Sequence, residues 1–218
     1  MGDIDVDLAG EQVRLMPERA LFWPGQATLV AADLHWGKTS AFRAAGVPLP
    51  AGTTRADLAR LSSALDRTGA ARLVLLGDLF HARTGLVDHT LAEISAWRSA
   101  YPLLDVLLVR GNHDRRAGDP PPGLGFTVVD GPWPLGPFRL RHEPAIDRHG
   151  YVHAGHIHPG CTLHGPGRQR LRLPCFVFGA SVGLLPAFTE FSGTGDADRD
   201  PRGGDRVYVV AGGEVIAA

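Results

Sequence analysis

Five short clusters of aspartate, asparagine and histidine carry the chemistry open to this chain: Asp33-Leu34-His35, Gly77-Asp78, Gly111-Asn112-His113-Asp114, His142, and Gly155-His156-Ile157-His158. Asp33 and His35 stand two apart, as do His156 and His158, so in strand geometry each pair projects to one side and can grip one ion. Asp78 is a lone carboxylate beside a glycine that permits close backbone approach. A carboxylate can bridge two cations; an imidazole cannot. Asn112 adds a neutral amide oxygen. Asp33, His35, Asp78, Asn112, His142, His156 and His158 together exceed what one ion takes from a protein, whereas two ions sharing Asp78 would receive four groups each. This mixture suits Mn, Fe or Zn better than Ca or Mg, because imidazole favours the later transition metals. Two ions about 3.5–4 Å apart can clamp the attacking and leaving oxygens of a phosphoryl transfer. Cys161 and Cys175 lie away from these clusters, which excludes a cysteine-type zinc site; they are expected to be buried free thiols, with a redox pair as the alternative.

His113 can act in two ways. As an acid with a pKa near working pH it protonates a leaving oxygen; as a fixed dipole it donates a hydrogen bond to a phosphate oxygen without transferring a proton. Nearby metals favour its neutral form and a paired carboxylate such as Asp114 favours its charged form. Arg83, Arg115 and Arg116 flank the ligand loops, as phosphate contacts or as solvated surface. His81 stands open between a site role and a structural one. Trp36 reads as packing or as a base contact, and Lys38 as a phosphate contact at the edge of the site. His89, His149, His153 and His164 are expected not to be ligands, though alternation places His153 behind the His156 cluster.

Three apolar strands end in the first three clusters: 27–35, 72–78 and 105–114. Between them, 53–68 carries Leu58, Leu61 and Leu65 at helical spacing, with Thr53 or Thr54 as N-cap and Gly69 as stop. A second helix spans 88–100, with Asp88 as N-cap and Leu91, Ile94 and Trp97 on one face. Phe42 is expected in the core with them. This order predicts right-handed crossovers and a mostly parallel sheet whose carboxyl ends bring the clusters together. The opening alternates Asp3, Asp5 and Asp7 with Ile4, Val6 and Leu8, an edge strand to which Val13 and Leu15 pair back. Short runs at 126–129, 138–142, 151–154, 170–173, 175–178 and 207–210 predict a second sheet with antiparallel pairs. Residues 192–206 read as a mobile loop.

The chain's 218 residues predict a single domain over 1–218, and its 44% apolar and 21% charged content argues against disorder. No apolar run reaches the ~18–20 residues of a membrane helix, and the acidic opening MGDIDVDLAGEQVRL reads as no secretory leader, so a cytoplasmic protein is expected. Net charge is −1, so no whole-chain basic footprint for nucleic acid exists, although the 22 basic residues comprise one lysine, Lys38, and otherwise arginines.

The ordered series DLH, GD, GNHD, His142 and GHIH over residues 28–160 resembles the calcineurin-like metallophosphoesterase family. The details LHWGK, GDLFHAR, RGNHD, HEP, GHIHP and LLPAF further resemble the bacterial ligase-associated DNA damage response endonucleases of the PdeM type. The resemblance implies an α/β fold of two stacked mixed β-sheets flanked by helices, the four-layer metallophosphoesterase sandwich. It assigns Asp33, His35, His158 and Asp78 to one metal and Asn112, His142, His156 and Asp78 to a second. It makes His113 the phosphate contact and leaving-group acid, with Asp114 as its orienting partner. Where many relatives carry GDxxD, His81 takes the final position. The activity implied is a dinuclear phosphodiesterase, a DNA endonuclease acting in DNA repair with manganese, or else iron or zinc. Single-stranded DNA would be its substrate, and a repair ligase or helicase its partner. The alternatives are a phosphodiesterase or phosphatase for small nucleotides and a non-catalytic repair-complex subunit.

Overall fold

The computed structural model describes residues 2–196 and 204–218. The acidic opening forms β1 (Ile4–Leu8), paired antiparallel to β2 (Glu11–Met16) with Val6 opposite Val13 and Ile4 opposite Leu15. β3 (Ala20–Trp23) and β4 (Thr28–Ala31) continue the antiparallel run. From β4 onward the sheet is parallel, through β5 (Arg72–Leu76), β6 (Asp105–Val109) and β7 (Thr127–Val129). The intervening helices are α1 (Lys38–Ala44), α2 (Thr53–Thr68), α3 (Asp88–Ala100) and the single turn α4 (Asp114–Ala117). The run at 126–129 therefore joins the first sheet, because the chain after α4 returns beside β6 in parallel, rather than founding the second.

The second sheet comprises β8 (Trp133–Leu135), β9 (Phe138–Leu140), β10 (Tyr151–Ala154), β11 (Gly160–His164), β12 (Arg170–Phe178), β13 (Val182–Leu184), β14 (Arg206–Ala211) and β15 (Glu214–Ala217). Its order is β15-β14-β12-β13-β10-β9-β8, with β11 against β12. β9, β10 and β13 run parallel and the remaining pairs antiparallel, so both sheets are mixed. The runs on either side of Pro174 form one strand, β12.

Burial explains the unbroken apolar strands. Leu29, Ala31, Leu73, Leu75, Val106 and Leu108 face Leu58, Leu61, Leu65, Ile94 and Trp97 of the helices. Their alternates Val30, Val74, Leu76, Leu107 and Val109 face Phe138, Phe176 and Phe178 of the second sheet. With both faces of β4, β5 and β6 covered, period-2 alternation leaves no polar side. Cys161 and Cys175 are buried in a smaller cluster with Val177, Val207 and Val209, with no disulfide between them.

Some local expectations are corrected. Gly52 and Val87, not Thr53, Thr54 or Asp88, occupy the N-cap positions of α2 and α3. The threonine hydroxyls are engaged elsewhere: Thr54 Oγ1 accepts the Gly37 amide at 3.1 Å and Thr53 Oγ1 meets Thr39 Oγ1 at 2.9 Å, tying α2 to the loop that carries His35. Gly69, at φ 62°, closes α2 as expected. Phe42 is not core; it is 36% exposed. Of the loop at 192–206, residues 197–203 lie outside the described residues. The described part is fastened rather than free: Arg172 Nε donates to Thr194 Oγ1 at 2.6 Å, and Gly195 pairs with Pro159. Among the described residues no helix is long and apolar enough to cross a membrane.

Leu61 is fully buried between α2 and the first sheet. Leu61→Ala is expected to cost about 2–5 kcal/mol of stability, read as a lower urea midpoint at an unchanged slope.

Candidate metal centre

The three parallel strands stop short of the polar clusters. β4, β5 and β6 end at Ala31, Leu76 and Val109, and β10 ends at Ala154. Beyond them the backbone turns left-handed. Of the nine non-glycine residues with positive φ among the described residues, five are the expected ligands Asp33 (56°), His35 (46°), Asp78 (50°), His156 (70°) and His158 (51°). Such conformations cost on the order of 1–3 kcal/mol each and gather at functional sites; Asp and His are among the types that tolerate them. Asp33 and His35 thus share a side through turn geometry rather than strand alternation, and the same holds for His156 and His158.

The turns are locked by hydrogen bonds between loops. Asp33 Oδ2 accepts the His156 amide at 2.9 Å, joining the first sheet to the second. Asp78 Oδ1 accepts the His113 amide at 2.9 Å. Gly155 packs so closely behind Asp33 that a Cβ would lie 2.5 Å from its Oδ2. Gly77, at φ +73°, approaches Gly111, where a Cβ would lie 2.7 Å from the Gly111 Cα.

Two groups of metal-competent side chains result, Asp33 with His35 and His158, and Asp78 with His142 and His156. His142 Nδ1 donates to the Leu76 carbonyl at 2.9 Å, which leaves Nε2 as a lone pair. That lone pair faces Asn112 Oδ1 at 2.8 Å, His156 Nδ1 at 3.0 Å and Asp78 Oδ1 at 3.4 Å. In the other group His158 Nδ1 donates to the Gly193 carbonyl at 3.3 Å, and Nε2 faces His35 Nε2 at 3.3 Å and Asp33 Oδ1 at 3.6 Å. Asp33 Oδ1 is buried and has no hydrogen-bond partner. Ring nitrogens and an amide oxygen therefore crowd around two buried carboxylates, a donor set that suits a divalent cation.

The electrostatics agree. Burial, then His158 and Lys38, hold His35 down to about 2, so it is neutral and able to coordinate. Burial pushes the Asp78 carboxyl up, and Asp33 pushes the same way against the pull of His142. Burial disfavours the charged form of His158, yet Asp33 outweighs it and lifts His158 above its ordinary value. The field that draws a proton to this point also draws a metal.

His113 differs from the expectation in its support. Its Nδ1 donates to the His81 carbonyl at 2.7 Å, while Nε2 points into the centre, 3.9 Å from Asp78 Oδ2. Asp114 does not hold the ring. Its carboxylate accepts the amides of Gly111 at 2.8 Å and Leu79 at 2.9 Å, and so pins two ligand loops together. A carboxylate at the first turn of α4 points back at these amides rather than towards the preceding side chain. His81 stacks on His113 at 5.1 Å and on Phe42 at 5.6 Å, and forms a third cluster with His35 and His113. Burial holds His81 down to about 4.

The flanking basic residues separate. Arg115 pairs with Asp130 at 2.8 Å, whereas Arg83 and Arg116 are exposed. Lys38 is half-buried over the Phe191 ring, and Trp36 is fully buried packing. His89, His149 and His164 are exposed and outside the centre. His153 is buried against Phe138, Tyr151 and Phe178, and burial holds it down to about 3. What motif reading missed are the carbonyls of Leu76, Gly193 and His81; main-chain acceptors leave no mark in residue type.

The model of the calcineurin-like phosphoesterase family matches residues 27–175. Among curated proteins none matches the chain. Among solved structures, a crystal structure of the nuclease MPE from Pseudomonas putida is 41% identical, with a TM-score of 0.86, covering 99% of this chain and 100% of that one. Yfce, a phosphoesterase from E. coli, is 16% identical with a TM-score of 0.42, covering 87% of this chain and 96% of that one.

Gly155→Ala is expected to displace Asp33 and weaken Mn²⁺ binding by roughly 10–100-fold, the range for disturbed ligand support, with the far-ultraviolet circular dichroism retained. Isothermal titration with Mn²⁺ checks it.

Proposed function

The chain belongs to the calcineurin-like phosphoesterase family of metal-dependent hydrolases, and from that premise we propose that it is a dinuclear phosphodiesterase cleaving DNA, an endonuclease of DNA repair that prefers single strands and uses manganese. The observation that carries this reading is the placement of Asp78 between the two donor groups. Its Oδ2 lies 3.8 Å from His35 Nε2 and its Oδ1 lies 3.4 Å from His142 Nε2. In this reading Asp33, His35, His158 and Asp78 hold one divalent ion, and Asn112, His142, His156 and Asp78 hold the second. When bound, the ions supply charge neutralisation on the phosphoryl oxygens and a nucleophile at neutral pH.

The chain's own residues do the rest. The amides of His113 and His156 each fix one oxygen of a carboxylate, Asp78 Oδ1 and Asp33 Oδ2, and so orient both groups. With Nδ1–H fixed on the His81 carbonyl, any proton His113 exchanges passes through Nε2, which faces the centre. From there it contacts a phosphoryl oxygen or protonates the leaving oxygen. The mixed imidazole and carboxylate donors support manganese, iron or zinc over calcium. Likeness to a nuclease over the full length supports a nucleic acid as the diester.

The test is purified protein with Mn, Fe, Zn, Mg or Ni on bis-p-nitrophenyl phosphate, a phosphomonoester, linear single-stranded DNA and stem-loop DNA. Diesters and single-stranded DNA are expected to be cleaved with Mn²⁺. His113→Ala is expected to lower kcat by roughly 10²–10⁴-fold with the fold intact, and Asn112→Ala to weaken Mn²⁺ binding. Cleavage of the monoester alone would overturn the nuclease reading. Metal removal with a chelator is expected to lower the melting temperature; restoring Mn²⁺ at a hundredfold excess over its Kd is expected to return about 2.7 kcal/mol.

A further inference from the structure

A polar cleft of about 160 Å³ opens beside the centre, lined by Arg110, Gly111, Asn112 and Arg115 from the loop after β6, Gly131, and Arg141, His142 and Glu143 from the loop after β9. Two of these residues, Asn112 and His142, also stand in the second donor group, so cleft and centre share a wall. The cations of the cleft are not equivalent. Arg110 is bound to Asp119 at 2.7 Å and to Asp130 at 3.1 Å, and Arg115 is bound to Asp130 at 2.8 Å. Arg141 is half-buried and its guanidinium has no anionic partner among the described residues. Its main chain is fixed from both sides. The Arg141 amide donates to the His153 carbonyl at 3.1 Å, and Gly131 packs so closely that a Cβ there would lie 3.3 Å from the Arg141 Cα. A half-buried arginine with no anionic partner, on a fixed backbone, is a receptor for a tetrahedral anion, since its planar fork matches two phosphate oxygens.

We infer that this cleft binds the phosphate next to the scissile one, with Arg141 as its principal contact, so that the protein selects a polynucleotide over an isolated diester. This rests on the phosphodiesterase reading of the centre. The neighbouring phosphate of a strand threaded past Asn112 and His142 enters the cleft, where it meets the one arginine whose charge is not already spent. Glu143, exposed at the mouth, disfavours a more highly charged terminal phosphate and so favours an internal linkage. The arginines that merely adjoin the ligand motifs are secondary: Arg115 is paired, and Arg116 does not line the cleft.

The experiment compares the wild-type protein with Arg141→Gln and Arg141→Lys on a single-stranded oligonucleotide and on bis-p-nitrophenyl phosphate, which has no neighbouring phosphate. Arg141→Gln is expected to lower the ratio of kcat/KM for oligonucleotide over bis-p-nitrophenyl phosphate by roughly tenfold or more, and Arg141→Lys by less, since charge survives without the fork. A neutral methylphosphonate at the neighbouring linkage should cause the same loss in the wild type and little further loss in Arg141→Gln. Fluorescence anisotropy with chelator present gives a reading independent of catalysis: the salt dependence of single-strand binding should fall by about 0.7 in log–log slope for one lost phosphate contact. Equal loss on both substrates, or an unchanged salt slope, overturns the cleft while leaving the phosphodiesterase reading intact. A wild-type protein that cleaves neither diester overturns that reading, and the salt slope then decides the cleft alone.

Discussion

One hydrogen bond between the two sheets organises the molecule: the His156 amide on Asp33 Oδ2 at 2.9 Å. Asp33 follows the last residues of β4 in the first sheet, and His156 follows β10 in the second. The bond turns one carboxylate oxygen outward from the loop and leaves Oδ1 buried and unsatisfied among imidazoles. A buried carboxylate without compensation is costly, so a cation bound at Oδ1 would stabilise this contact. The segment after β13 reinforces the same seam. Leu185 donates to the Ala154 carbonyl at 2.8 Å, and Phe188 donates to the Ala32 carbonyl at 2.7 Å. The late apolar stretch 184–188 is therefore a strap holding the ends of β10 and β4 level, which sets the distance between the two halves of the centre.

The loops that carry the candidate donors are held in left-handed turns by neighbours that cannot easily yield. Gly77 and Gly155 allow main chain and carboxylate to pack without a side chain between them. Asp114 gathers the Gly111 and Leu79 amides, and so ties the loop after β5 to the loop after β6. The carbonyls of Leu76 and Gly193 fix which nitrogen of His142 and His158 carries the proton, leaving Nε2 of each aimed inward. Pre-organisation of this kind places the donors before any ion arrives, which lowers the reorganisation needed on binding.

The legible part of the sequence was the part written in side chains and periodicity. Leu58, Leu61 and Leu65 at helical spacing, closed by Gly69, mark the span of α2 and its C-terminal stop, though not its N-cap. The unbroken apolar runs marked strands covered on both faces, and five polar clusters at carboxyl ends marked a convergent site. What escaped reading was conformational. A DLH or GHIH segment carries no sign that its aspartate and histidines will be left-handed, so the sequence reads as alternation where turns occur. Phe42 shows the same limit from the other direction: an aromatic near an apolar run reads as core, yet it lies at the surface stacked on His81. The threonines at 53 and 54 look like caps in isolation and become cross-links only once α1 packs beside α2. The role of Asp114 depended on amides that no residue type announces.

A net charge of −1 argues less against a polyanionic substrate than it first suggests, because the arginines are distributed unequally in their pairing. Arg14 is neutralised by Asp5, Arg67 by Asp3 and Glu18, Arg72 by Asp105, and Arg110 by Asp119 and Asp130. These pairs sit mostly at the surface, where they hold local geometry and contribute little to any field. The negative side of the ledger includes Asp33 and Asp78, which are buried at the very point where divalent ions would reverse the local sign. What a phosphate approaching the centre meets is therefore set by a few groups in the cleft between the sheets, not by the sum over the chain. Electrostatic focusing in a cleft of low dielectric makes such local charge effective where net charge is silent. For a neutral protein built this way, a polyanionic substrate would be gripped through few phosphates near the centre, with a correspondingly shallow dependence on salt.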